Sequence, residues 1–424
     1  MICQHIFQKG KLKGTLCNKV GCKKHKIKTE KLIMDKLSSQ DDIKKQILEL
    51  NTTIENKSVI MKNFLSIQRL DSTSTEYYKA QSYIDQSIMI PWNTFYDLRK
   101  HIGLDISNDT LTYHVQNKLL IKKFIESIKS EFDKHIYGLE NVKNEILNYI
   151  CKFITNPYSQ RNNIALYGPA GVCKTKFITV LSSVLNIPLR IISLGGMKDS
   201  SYLLGHSKTY QDSKCGIITQ SIIDSQILNP IIYFDELDKV SSSEHGQDIY
   251  AVLSNITDPV INKTFKDRYF SNLVIDLSKV FYVFTFNDIS KVDKVLLDRL
   301  NVINVNTPTK REKLTILRDY CLIDIVKNIG FQCDINLEDR CYNKIIDYTD
   351  LLIDNTVTSG IRESTRVLEK ILLEINKEIL FETFKITDKF IYIDYNTFIK
   401  YFDKLQHQFF QTTKYTSYQN QMYI

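Results

Sequence analysis

Residues 168–175 read GPAGVCKT and follow the phosphate-loop pattern G-x-x-x-x-G-K-[ST] at every place but one. In such a loop Lys174 would reach the β- and γ-phosphates of a nucleotide, and Thr175 would bind Mg²⁺. Backbone amides at a helix start would cradle the phosphates. The predicted nucleotide-binding residues are Gly168, Pro169, Ala170, Gly171, Val172, Cys173, Lys174 and Thr175.

Cys173 occupies the place where the pattern has glycine. A cysteine is small, so we expect it to tolerate a helical backbone there and to weaken phosphate binding without abolishing it. The glycine with positive φ is expected to be Gly171. Because the thiol would lie beside Lys174 and a helix N-terminus, it is also a candidate for a lowered pKa and for oxidation or alkylation, with an inert cysteine as the alternative.

Two acids end the apolar run IIYFDE at residues 231–236. Asp235 at the strand end would hold Mg²⁺, and Glu236 would polarise the attacking water. An apolar strand capped by acids is common in any α/β protein, and this is the alternative interpretation. A phosphate loop upstream in the same chain favours the catalytic one.

A third group of reactive side chains lies at the N-terminus, where Cys3, Cys17, Cys22 and His25 supply three thiols and an imidazole. Such a set can complete a tetrahedral zinc site, with His5 as a rival fourth ligand. Because so short a module cannot bury a core, the metal would supply its folding energy. The segment is similar to short Cys/His modules of large DNA virus proteins. The alternative is a disordered basic tail with incidental cysteines. The lysines around the proposed zinc site would favour contact with nucleic acid or another acidic partner.

The elements that must position these groups alternate between strands and helices. The runs IALY, LRIISL, PIIYFDE, VFYVFTFN and NVINV predict strands, and KTKFITVLSSVL predicts a helix behind the phosphate loop. This alternation predicts an α/β fold with a largely parallel sheet. The predicted domains are a Cys/His module (1–28), a helical region (29–130), an α/β nucleotide-binding domain (131–306), a helical lid domain (307–404) and a tail (405–424).

Composition limits the class of protein. The chain has 424 residues, of which 43% are hydrophobic and 25% charged, and its net charge is +8. Nine cysteines, an odd number, do not suggest a disulfide framework, so we expect a reducing, intracellular and cytoplasmic location. No run approaches the roughly 20 apolar residues of a membrane-spanning helix, and the N-terminus lacks the apolar core of a secretory signal.

Several longer stretches resemble the ATPase module of the Lon family of AAA+ proteins. They include YGLENVKNEILNYI (137–150), ISLGGMKDSSYLLGHSKTY (192–210), FDELDKV, LSNITDPVINKTFKDRYF, DLSKVFYVFTFND and LLDRLNVI, in the order found in that family. SIMIPWNTF (87–95) is similar to the segment that precedes the module. The resemblance covers roughly residues 60–400. It implies an α/β P-loop ATPase followed by a small helical lid.

The resemblance also implies catalytic roles for three more residues. Asn287 matches the sensor-1 position, which orients water and γ-phosphate, and Arg362 matches the sensor-2 position on the lid. Arg299 matches the arginine finger, which reaches the nucleotide of a neighbouring subunit. A homo-oligomer, in that family a hexamer, is therefore expected. Each residue also has a plain interpretation, as a surface arginine or a strand-end asparagine.

Substrate handling is implied less completely. Tyr210 matches the pore aromatic that grips a translocating polypeptide, but Gln211 follows it where the family has an aliphatic residue. Residues 241–248 would form a second pore loop, and an ordinary solvent loop is the alternative. Neither the family's Ser–Lys peptidase domain nor its β-rich N-terminal domain is recognised, so no peptidase activity is expected.

The sequence therefore predicts an AAA+ ATPase that uses Mg-ATP to unfold or remodel protein. One rival is a scaffold that binds nucleotide with little turnover. Another is a nucleic-acid-associated ATPase recruited through the N-terminal module. The resemblance of that module to viral proteins extends the expected location to the cytoplasm of an infected cell.

Overall fold

The computed structural model describes residues 40–107, 110–111, 115–197, 199–207, 213–331, 333–352, 360–381 and 390–405. The chain divides into two compact units, Met1–Asn93 and Thr94–Ile424. In the described part of the first unit, helix α1 (Gln40–Glu49) packs on α2 (Ile54–Ile67), which packs on α3 (Thr75–Met89). Apolar side chains recurring at helical spacing place Ile60, Phe64 and Ile84 in the interior.

The second unit begins with elements that precede the main sheet. They are α4 (Leu98–Ile102), the short antiparallel pair β1 (Ile106–Ser107) and β2 (Thr110–Leu111), α5 (Val115–His135) and α6 (Glu140–Thr155). The domain boundary predicted at residue 130 falls inside α5. Phe132 of this helix stacks on Phe177, with ring centroids 4.9 Å apart, so α5 shares its core with the nucleotide-binding domain.

Five parallel strands form the main sheet, in the order β4-β5-β6-β3-β7. They are β3 (Asn163–Tyr167), β4 (Leu189–Ser193), β5 (Ile231–Asp235), β6 (Phe281–Phe286) and β7 (Asn301–Asn304). Each coincides with one of the apolar runs that predicted a strand. Every residue of β6 is buried, which is why the central strand has a continuous apolar sequence instead of an alternating one.

Helices connect the strands and pack against the sheet. They are α7 (Lys174–Leu185), α8 (Ser201–Leu204), α9 (Ile217–Ser225), α10 (Glu244–Thr257) and α11 (Lys294–Leu297). Short 3-10 segments lie at Leu237–Lys239, Asn262–Thr264 and Ile289–Lys291. Because all five strands run in the same direction, their carboxyl ends meet at one edge of the sheet, where ligands of open α/β folds bind.

The region after β7 that was predicted to be the lid (307–405, called the lid below) has its own core around Tyr342, Leu368 and Phe398. It consists of α12 (Lys310–Ile316), a π-helical turn (Leu317–Cys321), α13 (Leu322–Ile329), α14 (Asp339–Leu352), α15 (Arg362–Leu380) and a helical stretch at 395–405. A parallel pair, β8 (Asp334–Leu337) and β9 (Phe390–Ile393), was not predicted. Across the described ranges, no helix combines the length and apolarity needed to cross a membrane.

Candidate nucleotide site

The phosphate loop lies between the sheet and the lid. Gly168 follows β3 and donates its N–H to the Phe286 carbonyl at 3.2 Å, and a side chain at Gly168 would collide with the Val305 carbonyl. Gly171 has φ +81°, as predicted, and its carbonyl accepts from the Ile361 N–H at 3.0 Å. A Cβ added at Gly171 would lie 3.0 Å from the Cβ of Arg362, and the positive φ would strain any residue other than glycine.

Cys173 does not have the helical backbone that we predicted. Its φ and ψ are 64° and 21°, the left-handed conformation, and it precedes the first residue of α7. For a residue with a Cβ this conformation costs about 1–2 kcal/mol, whereas glycine adopts it freely. The consensus glycine therefore supplies a left-handed residue at the helix start, and Cys173 keeps that backbone shape under strain.

The prediction of a lowered pKa for Cys173 is also wrong. The side chain packs against the lid core, and this burial raises the pKa of the thiol above its usual value. The neighbouring Cys321 raises it further, and Lys176 and Arg362 only partly oppose the shift. A thiol held protonated in this way is a poor nucleophile.

Lys174 turns back into the phosphate loop. Its ammonium donates to the carbonyls of Gly168 and of Pro169, the latter at 3.0 Å, and to Oδ1 of Asn287 at 2.7 Å. Burial lowers the pKa of Lys174 to about 8, while Asp238 and Asp235 act against the shift. Its partners are neutral oxygens, which the phosphate oxygens of a ligand can replace.

Asp235 ends β5 with one carboxylate oxygen already bonded. Its Oδ1 accepts from the hydroxyl of Thr285 at 2.5 Å and from the N–H of Glu236 at 2.9 Å. Glu236 has φ 58°, a left-handed turn that directs its exposed side chain away from the strand. Its carboxylate lies where a Cβ of Gly195 would be, so the glycine after β4 makes room for it.

Sequence reasoning missed two hydroxyls beside the predicted ligands. Tyr233 lies 3.1 Å from the Thr175 hydroxyl and 3.0 Å from the Thr285 hydroxyl. The signal was present, since alternate residues of a strand share a face: Tyr233 precedes Asp235 by two positions, as Thr285 precedes Asn287. Thr175 and Asp235 supply the oxygen donors that Mg²⁺ prefers, so these residues fit that ion.

Asp238, on the 3-10 turn after Glu236, was missed as well. It is 5% exposed, and its Oδ1 has no hydrogen-bond partner among the described residues. Its negative charge acts on Lys174 more strongly than that of Asp235. A third carboxylate therefore helps to keep this lysine charged.

A cavity of about 570 Å³ adjoins the phosphate loop and is covered by the lid. Tyr137 and Tyr320 line it with ring centroids 6.2 Å apart, and the Tyr320 hydroxyl donates to the Asp133 carbonyl at 2.8 Å. A salt bridge of 2.7 Å joins Lys176 on α7 to Asp324 on the lid. Aromatic walls with polar groups, next to a phosphate loop, suit a nucleoside.

The structure brings most of the predicted catalytic residues together at the carboxyl edge of the sheet. Asn287 bonds Lys174 directly, and Arg362, the first residue of α15, lies against Gly171. The charge of Arg362 acts on both Lys174 and Cys173. The arginine predicted for the sensor-2 position is therefore beside the phosphate loop.

Arg299 lies at the opposite edge. Asn301 begins β7 level with Ile164 near the start of β3, and Arg299 precedes it by two residues. Its guanidinium bonds the Ser254 carbonyl and lies 3.3 Å from Asp258. A strand of five residues spans roughly 15 Å, so this arginine is well away from the phosphate loop of its own chain.

Other predicted residues are not described. Tyr210 and Gln211 fall in residues 208–212, and Cys3, Cys17, Cys22 and His25 fall in residues 1–39, outside the described ranges. Of the predicted second pore loop, residues 241–243 are irregular and Glu244 begins α10.

This fold and site fit an α/β P-loop ATPase, and comparison with known proteins supports that class. Residues 164–307 match the family described as "ATPase family associated with various cellular activities (AAA)". This domain implies the use of ATP and Mg²⁺ and supports ATPase activity.

The chain is also similar to Lon proteases, so the module is Lon-like. It is 32% identical over 353 residues to a "Lon protease homolog" of Acanthamoeba polyphaga mimivirus, covering 82% of this chain and 31% of the relative. For "Lon protease 1" of Borreliella burgdorferi the identity is 28%, covering 84% and 41%. For "Lon protease" of Campylobacter jejuni it is 29%, covering 91% and 48%. The chain thus spans less than half the length of these relatives.

Proposed function

We propose that this chain is an ATP-driven motor that unfolds or remodels protein as a ring-shaped homo-oligomer. The observation that carries the proposal is the grouping of Lys174, Asn287 and Asp235 at the carboxyl edge of the sheet. There a cation, a neutral amide and a carboxylate would surround the γ-phosphate of a bound nucleotide. Thr175 and Asp235 would hold Mg²⁺, which shields the phosphate charge.

Each remaining residue has a role in this proposal. Glu236 would orient the attacking water, because it is exposed, directly follows Asp235 and has its carboxylate beside Gly195. Arg362, on the lid, would contact the γ-phosphate. Arg299 would stabilise the transition state in the nucleotide site of a neighbouring subunit, since it lies at the far edge of its own sheet.

The substrate side of the proposal rests on likeness to Lon proteases. Tyr210 would contact a translocating polypeptide, and a hexamer is the assembly we infer. The proposal concerns unfolding and not degradation, because the chain spans only part of those relatives.

Two alternatives have some support. Cys173 in place of the pattern glycine favours a scaffold that binds nucleotide and turns it over slowly, because a larger side chain at this place would crowd the phosphates. The lysine-rich segment around Cys3, Cys17, Cys22 and His25, which we propose binds one zinc ion, favours recruitment to nucleic acid.

ATPase assays of the full chain separate these functions. The motor proposal predicts Mg²⁺-dependent turnover that increases with unfolded casein. Stimulation by DNA or RNA instead would support the nucleic-acid alternative. Nucleotide binding with no turnover under any of these conditions would support the scaffold, and absence of ATP binding at millimolar concentration would reject all three.

A further inference from the structure

Four oxygen atoms form a continuous hydrogen-bonded chain beneath the phosphate loop. Thr175 Oγ1 lies 3.1 Å from the Tyr233 hydroxyl, which lies 3.0 Å from Thr285 Oγ1, which lies 2.5 Å from Asp235 Oδ1. This series of hydrogen bonds starts at Thr175 on α7, passes through Tyr233 on β5 and Thr285 on β6, and ends at Asp235 at the end of β5. It therefore links the two side chains that fit Mg²⁺.

The carboxylate fixes the direction of every bond in this chain. Asp235 Oδ1 already accepts from the Glu236 N–H, and an ionised carboxylate only accepts, so Thr285 must donate its single hydrogen to it. Tyr233 must then donate to Thr285. Because Tyr233 has used its only hydrogen, Thr175 must donate its own hydrogen to the tyrosine oxygen.

This direction determines what Thr175 presents to a ligand. A threonine hydroxyl has one hydrogen and two lone pairs, and a metal ion needs a lone pair. With its hydrogen bonded to buried Tyr233, the oxygen exposes its lone pairs on the other side, and Thr175 is solvent-exposed there. Without that acceptor, the hydroxyl would be free to rotate and to point its hydrogen at the metal position.

Burying Tyr233 would destabilise the fold if its hydroxyl made no hydrogen bond. Tyr233 and Thr285 are 0% and 1% exposed in strands that are otherwise largely apolar, and burying an unbonded hydroxyl costs free energy. By contrast, the hydroxyl of Tyr282 on β6 is buried with no partner among the described residues.

We propose that Tyr233 is a positioning residue, which through Thr285 and Asp235 orients the Thr175 hydroxyl to receive the nucleotide-bound Mg²⁺. The inference rests on the proposed function, because it concerns how the same site binds Mg-ATP. It adds a specific expectation: Tyr233 should matter for binding of the metal and little for binding of metal-free ATP.

The test compares Tyr233→Phe with the matched control Tyr282→Phe. Both changes remove one hydroxyl from an equally buried tyrosine and preserve its ring. Binding of a fluorescent ATP analogue is measured in EDTA and across a Mg²⁺ titration. We expect Tyr233→Phe to raise the half-saturating Mg²⁺ concentration roughly three- to tenfold, the usual effect of one hydrogen bond, with affinity in EDTA unchanged. Tyr282→Phe should match wild type in both.

Thr285→Val provides a second test, since it removes the hydroxyl that links Tyr233 to Asp235. It should raise the Mg²⁺ requirement at least as much as Tyr233→Phe, and the double variant should resemble Thr285→Val alone. If Tyr233→Phe and Tyr282→Phe have equal Mg²⁺ requirements, or if Tyr233→Phe loses affinity equally with and without Mg²⁺, the positioning role is refuted while the motor proposal stands. Wild-type protein that gains nothing from Mg²⁺ would overturn both.

Discussion

The two edges of the central sheet hold their cations in different ways. At the carboxyl edge, Lys174 bonds loop carbonyls and the amide of Asn287, all of which phosphate oxygens can replace. At the amino edge, Arg299 is bonded to the Ser254 carbonyl and paired with Asp258 of its own chain. Backbone N–H groups of Val260 and Ile261, more than Arg299 itself, lower the pKa of Asp258 and keep it charged.

This difference is consistent with the proposal that a neighbouring chain completes the site. The carboxyl edge provides a binding site for phosphate and metal, but Arg299 lies about one strand length away and cannot reach it. In the proposed ring, a neighbouring chain would supply this second cation, because head-to-tail assembly would bring the amino edge of one copy to the carboxyl edge of the next. Substitutions at the two edges should therefore have different effects on ATP binding and turnover.

The largest effect is expected at the carboxyl edge, from Glu236→Gln. Removing the charge that orients water should lower turnover roughly 10²-fold or more while ATP still binds, since Asp235 and Thr175 are unchanged. Turnover and ATP binding are measured on the same preparation. Glu126→Gln, an exposed change on α5, is the control. Turnover within twofold of wild type in Glu236→Gln would contradict the assigned role.

An intermediate effect is expected from pH, through Lys174. Phosphate binding requires the charged ammonium, whose pKa in the free chain is about 8. Bound phosphate raises that pKa, so binding takes up a proton when the pH exceeds 8, and affinity falls as pH rises. We expect ATP affinity to fall about tenfold between pH 7 and pH 9.

Calorimetry in buffers of different ionisation enthalpy measures the proton uptake directly. Lys174→Arg keeps a charged group at every pH in this range, so its affinity should not depend on pH in the same way. Equal wild-type affinities at pH 7 and pH 9, without proton uptake, would show that Lys174 does not titrate in binding.

The smallest effect is expected from Cys173→Gly. Relief of the left-handed strain should raise the free energy of unfolding by about 1 kcal/mol and should maintain or improve ATP affinity. Cys173→Ser separates backbone from thiol, since it removes the sulfur and keeps the Cβ. If serine stabilises as much as glycine, then the cause is the thiol and not the backbone.

The sequence predicted the parts of this molecule that depend on local pattern. The inner strands β3, β5 and β6 are buried almost throughout and have the most continuous apolar runs, whereas the edge strands β4 and β7 are partly exposed and include polar residues. Helix α7 follows directly from KTKFITVLSSVL. The phosphate loop and its acids were found because their chemistry requires fixed residue types at fixed spacing.

What the sequence did not predict depends on contacts between distant segments. The left-handed backbone at Cys173 is set by loop, helix and lid together. The bond from Tyr233 to Thr285 requires β5 and β6 to be neighbours in a particular register, and each residue alone is an ordinary strand residue. The pairing of Arg299 with Asp258 likewise joins α10 to the start of β7.

Mixing two inactive variants tests the central claim, a site shared between chains, most directly. Lys174→Ala removes the phosphate cation and Arg299→Ala the opposite cation, so each variant alone should hydrolyse ATP poorly. In a one-to-one mixture, about one quarter of the interfaces would combine an intact Lys174 with a neighbour's intact Arg299. We predict recovery of up to that share of wild-type turnover. Full activity of Arg299→Ala alone, or no recovery in mixtures shown to contain both chains in one oligomer, would contradict it.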